Sequence, residues 1–154
     1  MPLVPLSMFL SDWTPFISLL FVLPLIRAEK DYHRAALYII LFFIVLGTVA
    51  VVKDITNVPR PPNGLMQEDG PSFPSGHAAL GFFPLGFFWA LTKWPRRATL
   101  AVYGVIVAYS RLVLGVHYPG DVVAGALLGY VVPYLAIRNE NKLLRAWRAA
   151  TKRR

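Results

Sequence analysis

Five long apolar stretches alternate with short polar segments along the chain. They cover about Leu6–Ile26, Ala35–Val52, Ala78–Leu91, Thr99–Val116 and Val122–Ile137. A membrane-spanning helix needs roughly 20 predominantly apolar residues, and several of these stretches are shorter than that. The shorter ones end beside polar segments. We therefore expect an all-α, polytopic membrane bundle of about five transmembrane helices, with a funnel or a thinned region where the short helices end.

Composition places the chain in the membrane class and indicates one domain. The sequence has 154 residues, of which 56% are hydrophobic and 16% charged, and its mean hydropathy is positive. These values are typical of a single integral membrane domain, here residues 1–154. The lack of cysteine excludes disulfides, thiolate metal sites and a cysteine nucleophile. The first residues lack the basic segment of a cleaved signal peptide, so we expect the first apolar stretch to remain in the protein.

Positive charge is concentrated on one side of the predicted bundle. The net charge is +8, and thirteen of the sixteen Lys and Arg residues lie in Arg27–Arg34, Lys93–Arg97 and the tail Arg138–Arg154. Five spans put these segments on one membrane face, and cytoplasmic segments are enriched in Lys and Arg. The distribution argues against nucleic acid binding and predicts a basic cytoplasmic tail, residues 138–154. We expect this tail to be either an amphipathic helix on the anionic inner surface or a solvated end.

Three polar clusters lie at the ends of the apolar stretches, on the opposite face. They are Lys53–Pro61, Pro74–His77 and Ser110–Asp121. The first follows the second stretch, the second precedes the third stretch, and the third separates the fourth and fifth stretches. Four helix ends are therefore expected to meet at one face, away from the cytoplasm. Charge inside a membrane protein is costly and usually has a function.

Cations and amide donors in these clusters predict an oxyanion site. Arg60 and Arg111 can each donate two hydrogen bonds to a phosphate, and Lys53 adds a compact charge. Ser75 and Gly76 precede an apolar stretch and are expected to open a helix, whose first N–H groups and positive dipole end attract anions. Glycine also allows a ligand to approach closely because it lacks a Cβ atom. The sequence therefore predicts that these five residues bind phosphate.

Two histidines and one carboxylate predict nucleophilic catalysis. His117 lies four residues before Asp121, so the carboxylate can orient one ring nitrogen and leave the other free to attack phosphorus. His77, on a separate segment, can protonate the leaving oxygen and then activate water. These roles imply a covalent phosphohistidine intermediate whose charge the cations stabilise. The sequence contains no metal-ligand cluster, so we expect neither a metal ion nor another cofactor.

Each polar residue taken alone has a simpler structural explanation. A lysine near a helix end commonly extends to the membrane interface, and His33 is expected to be an interface residue. Glu68 and Asp69 are expected in a solvated loop. Four glycines are expected to serve helix packing: Gly115, Gly120, Gly125 and Gly129. The occurrence of all three clusters on one face is what favours a functional site.

The clusters resemble, in order and spacing, the signature motifs of the type 2 phosphatidic acid phosphatase superfamily, which also includes bacterial class A acid phosphatases and vanadium haloperoxidases. The motifs K-x6-R-P, P-S-G-H and S-R-x5-H-x3-D are matched at every defined position, and the expected catalytic core is residues 53–121. The resemblance implies that His117 is the nucleophile, Asp121 its partner and His77 the general acid and base. It implies a phosphate site with these members: Lys53, Arg60, Ser75, Gly76 and Arg111.

The order of spans differs from that of the family. Membrane members of the superfamily typically have six spans, with the first motif after the third span. Here the first motif follows the second predicted span, so one N-terminal helix is expected to be missing relative to them. The Pro62–Phe73 loop between the first two motifs leaves no room for a separate substrate domain.

The resemblance predicts a membrane lipid phosphatase in a prokaryotic plasma membrane, acting on the extracytoplasmic face. The implied substrates are lipid phosphomonoesters or diphosphates: undecaprenyl diphosphate, phosphatidylglycerophosphate or phosphatidate, and the 1-phosphate of lipid A. Membrane lipids are the expected surroundings, and the oligomeric state is left open. Two alternatives remain. One is a non-catalytic lipid-phosphate binder or transporter, and the other is a vanadium haloperoxidase.

Overall fold

A computed structural model of the chain describes residues 3–27 and 30–142. These residues form helices and connecting loops, without a β-strand. The six helices are α1 (Leu3–Leu20), α2 (Leu23–Arg27), α3 (Tyr32–Thr56), α4 (Gly76–Phe88), α5 (Trp94–Val113) and α6 (Pro119–Arg138). Most of the basic tail, residues 143–154, lies outside the described residues, so the expectation for it stays a prediction.

The prediction of an all-helical membrane bundle is confirmed, and its count of five spans is approximate. Three segments in the described part are long and apolar enough to cross a membrane: Leu3–Arg27, Tyr32–Thr56 and Pro119–Arg138. The first of these is interrupted by a turn at residues 21–22. Helix α4 is apolar but has only 13 residues, and α5 has 20 residues but includes three arginines.

Short polar contacts define where the helices begin and end. The side chain of Asp31 accepts a hydrogen bond from the Arg34 amide at 3.0 Å and caps α3. Asn57 ends α3 in the left-handed backbone region, at φ 45°. Ser75 caps α4, and Pro119 occupies the first turn of α6, where a missing N–H costs nothing.

Helix α4 is the centre of the bundle, and it packs against α6, α5 and α1. Ten of its 13 residues are buried. Its contact with α6 depends on two glycines, because a Cβ atom at Gly125 or Gly129 would collide with the carbonyl oxygen of Ser75 or Ala79. The packing role predicted for these two glycines is therefore confirmed.

Gly115 and Gly120, which were also predicted to serve helix packing, do not lie at a contact between helices. Gly115 has φ +64° in the turn after α5, a conformation that strains other residues. A Cβ atom at Gly120 would meet no described atom within 4 Å. The packing interpretation is therefore wrong for both of these positions.

Helix α1 attaches to the bundle through small polar residues. Ser7, Ser11, Thr14 and Ser18 recur at helical spacing and are all buried, while the intervening residues are largely exposed. Small side chains let membrane helices approach closely and exchange hydrogen bonds. The Ser18 hydroxyl donates to the Leu80 carbonyl of α4 at 2.9 Å. Through this face α1 packs against α4 and α5.

Candidate functional site

Four helix ends meet at one end of the bundle, as the sequence predicts. The Ser75 amide, at the start of α4, donates to the Asp121 carbonyl in the first turn of α6, at 2.9 Å. The loop that follows α3 is attached twice, because the Ser72 amide donates to the Val58 carbonyl and the Leu65 amide to the Leu114 carbonyl, both at 2.8 Å. These contacts bring the three polar clusters together.

A cavity of about 220 Å³ lies between these helix ends. Nine residues line it: Pro15, Leu46, Lys53, Arg60, Glu68, Gly76, His77, Leu80 and His117. Five of the eight residues predicted for the site are among them. The other three, Ser75, Arg111 and Asp121, are buried beside the cavity. The structure therefore brings all eight predicted residues into one region and adds Glu68 and Pro15.

Glu68 occupies the space between the two arginines. One carboxylate oxygen lies 2.8 Å from Nη1 of Arg60, and the other lies 3.2 Å from Nη1 of Arg111. The interpretation of Glu68 as a solvated loop residue is wrong, because the loop folds back over the cavity. Burial raises the pKa of the Glu68 carboxyl, but neighbouring charges, Arg111 first among them, outweigh burial and lower it below its usual value. Glu68 is therefore an anion at neutral pH.

Arg111 is the most deeply buried cation of the site, with no exposed side-chain surface. Its Nη1 atom contacts Glu68 and also donates to the Ser11 hydroxyl at 3.1 Å. Its Nε and Nη2 atoms have no hydrogen-bond partner among residues 3–27 and 30–142. Buried donors without a partner are costly, and functional sites are where such a cost is retained. The N–H groups of these two nitrogen atoms are therefore candidate donors for a bound anion.

His117 is held between a carboxylate and a guanidinium group. Its Nε2 atom lies 3.4 Å from Nη1 of Arg60, and its Nδ1 atom lies 3.5 Å from Oδ2 of Asp121, close to the carboxylate but without a hydrogen bond to any described residue. Since a guanidinium group can only donate, Nε2 carries the lone pair and Nδ1 carries the proton. Asp121 is itself oriented, because its Oδ2 atom accepts the Tyr118 amide at 2.9 Å.

The surroundings of His117 keep its ring neutral. Burial, followed by the charge of Arg60, lowers the pKa of His117 from 6.5 to about 3. Both effects disfavour the imidazolium cation. At neutral pH the ring therefore has an uncharged Nε2 atom facing a cationic cavity, which is the form that a nucleophile requires.

Two of the other predicted phosphate ligands, Lys53 and Gly76, line the cavity, and Ser75 is buried beside it. The Lys53 ammonium group donates to the carbonyls of Pro71 and Ser72, so the loop holds its charge in place. Ser75 is used as the α4 cap, with its hydroxyl accepting the Ala78 amide at 3.4 Å. A Cβ atom at Gly76 would meet only Val49 among described atoms, at 3.5 Å, an ordinary contact. Packing against the described residues therefore does not require a glycine at position 76. A ligand that approaches the backbone from the cavity would require one.

His77 is anchored by a helix that the motifs do not include. Its Nε2 atom lies 2.8 Å from the carbonyl oxygen of Ser11 in α1, and the hydroxyl of the same serine binds Arg111. The sequence interpretation missed Ser11. Its position in the Ser7, Ser11, Thr14, Ser18 pattern was the available signal, since that pattern marks the buried face of α1.

The arrangement is suited to binding and attacking a tetrahedral oxyanion. Arg60, Arg111 and Lys53 supply charge, and the neutral Nε2 atom of His117 is directed at the same space. Among the described residues there is no group of three or more His, Cys, Asp or Glu side chains that could hold a metal ion. Fold and site together define a membrane helical bundle with a cavity at one end that is lined by cationic side chains and two histidines.

Comparison with known proteins agrees with this class. The family model of the PAP2 superfamily matches residues 32–145, which include all three motifs. The chain belongs to the PAP2 superfamily. Expected membership of the type 2 phosphatidic acid phosphatase superfamily is therefore confirmed.

One relative by sequence is an undecaprenyl-diphosphatase of Sulfolobus acidocaldarius. It is 31% identical over 141 residues, which are 84% of this chain and 64% of the relative. The chain thus spans less than two thirds of that relative's length.

Two crystal structures have a similar fold. One is a transmembrane PAP2 type phosphatidylglycerolphosphate phosphatase from Bacillus subtilis, with a TM-score of 0.70 and 21% identity over 89% of this chain and 77% of that one. The other is Aquifex aeolicus LpxE, with a TM-score of 0.67 and 26% identity over 86% of each chain. These likenesses support the assignment of the chain as an integral membrane protein.

Proposed function

We propose that this protein is a metal-independent lipid phosphatase that works through a phosphohistidine intermediate on His117. The observation that carries the proposal is the ring of His117, whose Nδ1 atom faces Asp121 while its Nε2 atom faces Arg60 in the cavity. A binding protein needs the cations but has no use for a neutral imidazole oriented by a carboxylate. Membership of the PAP2 superfamily supports the same activity.

Substrate binding begins with an exchange of anions. A phosphate that enters the cavity takes the place of the Glu68 carboxylate between Arg60 and Arg111. In this proposal further donors come from the ammonium group of Lys53, which lines the cavity, and from the unpartnered Nε and Nη2 atoms of Arg111, which is buried beside it. The backbone amide of Gly76, in the first turn of α4, adds the positive end of a helix dipole, whereas the Ser75 amide is already bound to the Asp121 carbonyl.

The reaction is a double displacement at phosphorus. The Nε2 lone pair of His117 forms a bond to phosphorus as the bond to the lipid oxygen breaks, and His77 gives that oxygen a proton. His77 then takes a proton from water, which attacks the phosphohistidine and releases inorganic phosphate. Asp121 stabilises the positive charge that His117 acquires, and the cations stabilise the equatorial oxygens in both steps.

The substrate is a lipid phosphomonoester or diphosphate on the extracytoplasmic face. The site lies at the end of the bundle opposite Arg34 and Arg96, and apolar Leu46, Leu80 and Pro15 line one part of the cavity. Candidate substrates are undecaprenyl diphosphate, phosphatidylglycerophosphate or phosphatidate, and the 1-phosphate of lipid A. The Sulfolobus relative supports the first of these. Residues 1–154 form one domain in this proposal, with its core at residues 53–121 and a cytoplasmic tail at residues 138–154.

The test is phosphate release by purified protein in detergent, without divalent metal, across a panel of these lipids. We expect release from at least one lipid, a decrease of about 1,000-fold or more in His117→Ala, and an acid-labile phosphoprotein in the wild type. His33→Ala is the matched control, because His33 is half exposed and pairs with Glu140 away from the cavity. Release by His117→Ala at the wild-type rate would refute the mechanism.

The two alternatives predict different results in the same preparation. A lipid-phosphate transporter would move lipid across liposomes without releasing phosphate. A vanadium haloperoxidase would brominate when vanadate is added, whereas a phosphatase is only inhibited by it.

A further inference from the structure

Helix α1 contains a proline at a position where its missing N–H matters. In an α-helix the N–H of each residue donates to the carbonyl four positions earlier, so residue 15 would normally satisfy Ser11. Pro15 has no N–H and lies inside α1. The Ser11 carbonyl is therefore left without its helical donor, and the Nε2 atom of His77 lies 2.8 Å from it.

Helix α4 also contains a proline, and the carbonyl that this proline frees accepts a hydrogen bond from α1. Pro84 lies inside α4, and the carbonyl that it leaves free is that of Leu80. The hydroxyl of Ser18 in α1 donates to this carbonyl at 2.9 Å. Prolines in membrane helices are tolerated where neighbouring helices satisfy the freed carbonyl. In this bundle, α1 and α4 each supply a donor to the carbonyl that a proline frees in the other.

We propose that Pro15 is a positioning residue for the reaction, because it frees the Ser11 carbonyl to hold His77 by its Nε2–H group. A carbonyl oxygen can only accept, so Nε2 keeps its proton in both the neutral and the charged ring. Proton exchange with the leaving oxygen and with water then takes place at Nδ1. This inference rests on the proposed function, in which His77 is the general acid and base.

The contact also couples His77 to the phosphate site. The hydroxyl of Ser11 binds Arg111, so one residue of α1 holds both the histidine and the most buried cation. Arg111, Glu68 and Arg60 are the charged groups around His77, and none of them replaces the carbonyl contact. The Ser11 carbonyl is thus the anchor for the ring.

The test restores the missing N–H at position 15. In Pro15→Ala and Pro15→Val the new amide competes with His77 for the Ser11 carbonyl. We expect kcat to fall about 10-fold, in line with the loss of one orienting hydrogen bond, while KM changes less than about 2-fold. The two variants should agree although their side chains differ in size. Pro5→Ala is the control, since Pro5 is in the first turn of α1, where an N–H has no helical acceptor.

Nitrogen-15 NMR of histidine-labelled protein in detergent gives a readout that does not depend on activity. We expect the wild-type His77 ring to be protonated at Nε2, with a mixture of tautomers in Pro15→Ala. The His77 signal can be assigned with His77→Asn. This measurement needs only the wild-type protein if the proline variants fail to fold, and a wild-type His77 protonated at Nδ1 alone would overturn the proposal.

Two kinetic results would also overturn it. One is a kcat of Pro15→Ala equal to that of Pro5→Ala. The other is a loss that follows side-chain size, which would reflect the cavity wall instead of the amide. The two proposals can fail separately. If the wild type releases no phosphate from any lipid, the phosphatase assignment fails. The anchoring contact still stands if wild-type His77 has its proton on Nε2 and Pro15→Ala loses this tautomer preference.

Discussion

Arg60 and Arg111 show why two neighbouring guanidinium groups need a carboxylate between them. Two guanidinium groups facing one cavity repel each other, and burial of Arg111 removes most of the water that would screen this repulsion. Glu68 supplies a carboxylate within 3.2 Å of both groups. The same carboxylate competes with any incoming phosphate. An anion that binds between the two arginines must therefore first break the ion pairs that Glu68 makes with them.

Removal of this competing charge should tighten anion binding. In Glu68→Gln we expect the inhibition constant for inorganic phosphate or vanadate to fall about 10-fold, because no carboxylate has to leave the two arginines. Asp69→Asn removes the same charge from the next residue, which is exposed, and should change the constant less than about 2-fold. Inhibition of phosphate release measures both variants. Equal constants in the two variants would contradict a local role for Glu68.

The depressed pKa of His117 predicts how the ring titrates. The folded-state pKa is about 3 and the ordinary value is 6.5, so the folded ring stays neutral between these values while an unfolded one takes up a proton. We expect nitrogen-15 NMR to show a neutral His117, with its proton on Nδ1, from pH 8 down to pH 4.5. In Arg60→Gln the pKa should rise but remain below 6.5, because burial persists. A wild-type midpoint near 6.5 would contradict this environment.

Helices α4 and α6 form the element pair on which the site depends. The Ser75–Asp121 backbone hydrogen bond joins their first turns, and Gly125 and Gly129 let α6 approach the α4 backbone. Because His77 is on α4 and Asp121 on α6, the distance between these helices sets the distance between the groups that we propose as catalytic. Close packing of small residues takes the place of the hydrophobic effect, which lipid does not supply between helices.

A methyl group at this contact should destabilise the whole bundle. In Gly129→Ala the new Cβ atom would collide with the Ala79 carbonyl, and we expect a loss of about 1–3 kcal/mol and a lower Tm in detergent. Gly47→Ala is the control, because a Cβ atom at Gly47 in α3 meets nothing within 4 Å and alanine favours helix. Thermal unfolding in detergent measures the Tm of both variants. A Tm of Gly129→Ala at or above that of Gly47→Ala would contradict the packing.

At the scale of the molecule, charge distribution predicts orientation. The described residues Arg34 and Arg96 lie at the end of the helices opposite the cavity, and thirteen of the sixteen Lys and Arg residues belong to the two basic segments and the tail. Because cytoplasmic segments are enriched in basic residues, we expect the cavity on the extracytoplasmic face, where a lipid headgroup would reach it without crossing the bilayer.

The absence of cysteine makes this orientation simple to test. Asn63→Cys introduces an exposed thiol in the loop over the cavity, and Arg96→Cys introduces one at the opposite end of α5. In intact cells we expect a membrane-impermeant maleimide to label Asn63→Cys only, and to label Arg96→Cys after permeabilisation. The reverse pattern would place the site in the cytoplasm.

The helical class and the candidate site could both be predicted from the sequence, because both depend on patterns among residues close together in the chain. Apolar runs of helical length recur along the chain, and the polar positions that interrupt them have the spacing of three motifs. Such signals are carried by residues close together in sequence. They predicted all eight residues that the structure brings to one region.

Contacts between distant segments could not be predicted in the same way. The turn at residues 21–22 of the first apolar stretch and the short length of α4 depend on packing, so the count of spans is only approximate. Glu68 reaches the arginines because the loop folds back through contacts with residues 58 and 114. Ser11 is separated from His77 by 66 positions, and no motif joins them.

The sequence by itself thus determined the helical membrane class, the family and eight of the residues in and beside the cavity, since periodicity and motif spacing are local properties. Only the tertiary structure decided which groups pair inside the cavity and which backbone carbonyl holds His77. Those pairings depend on where loops return and on which N–H a proline removes, and burial makes each of them energetically decisive.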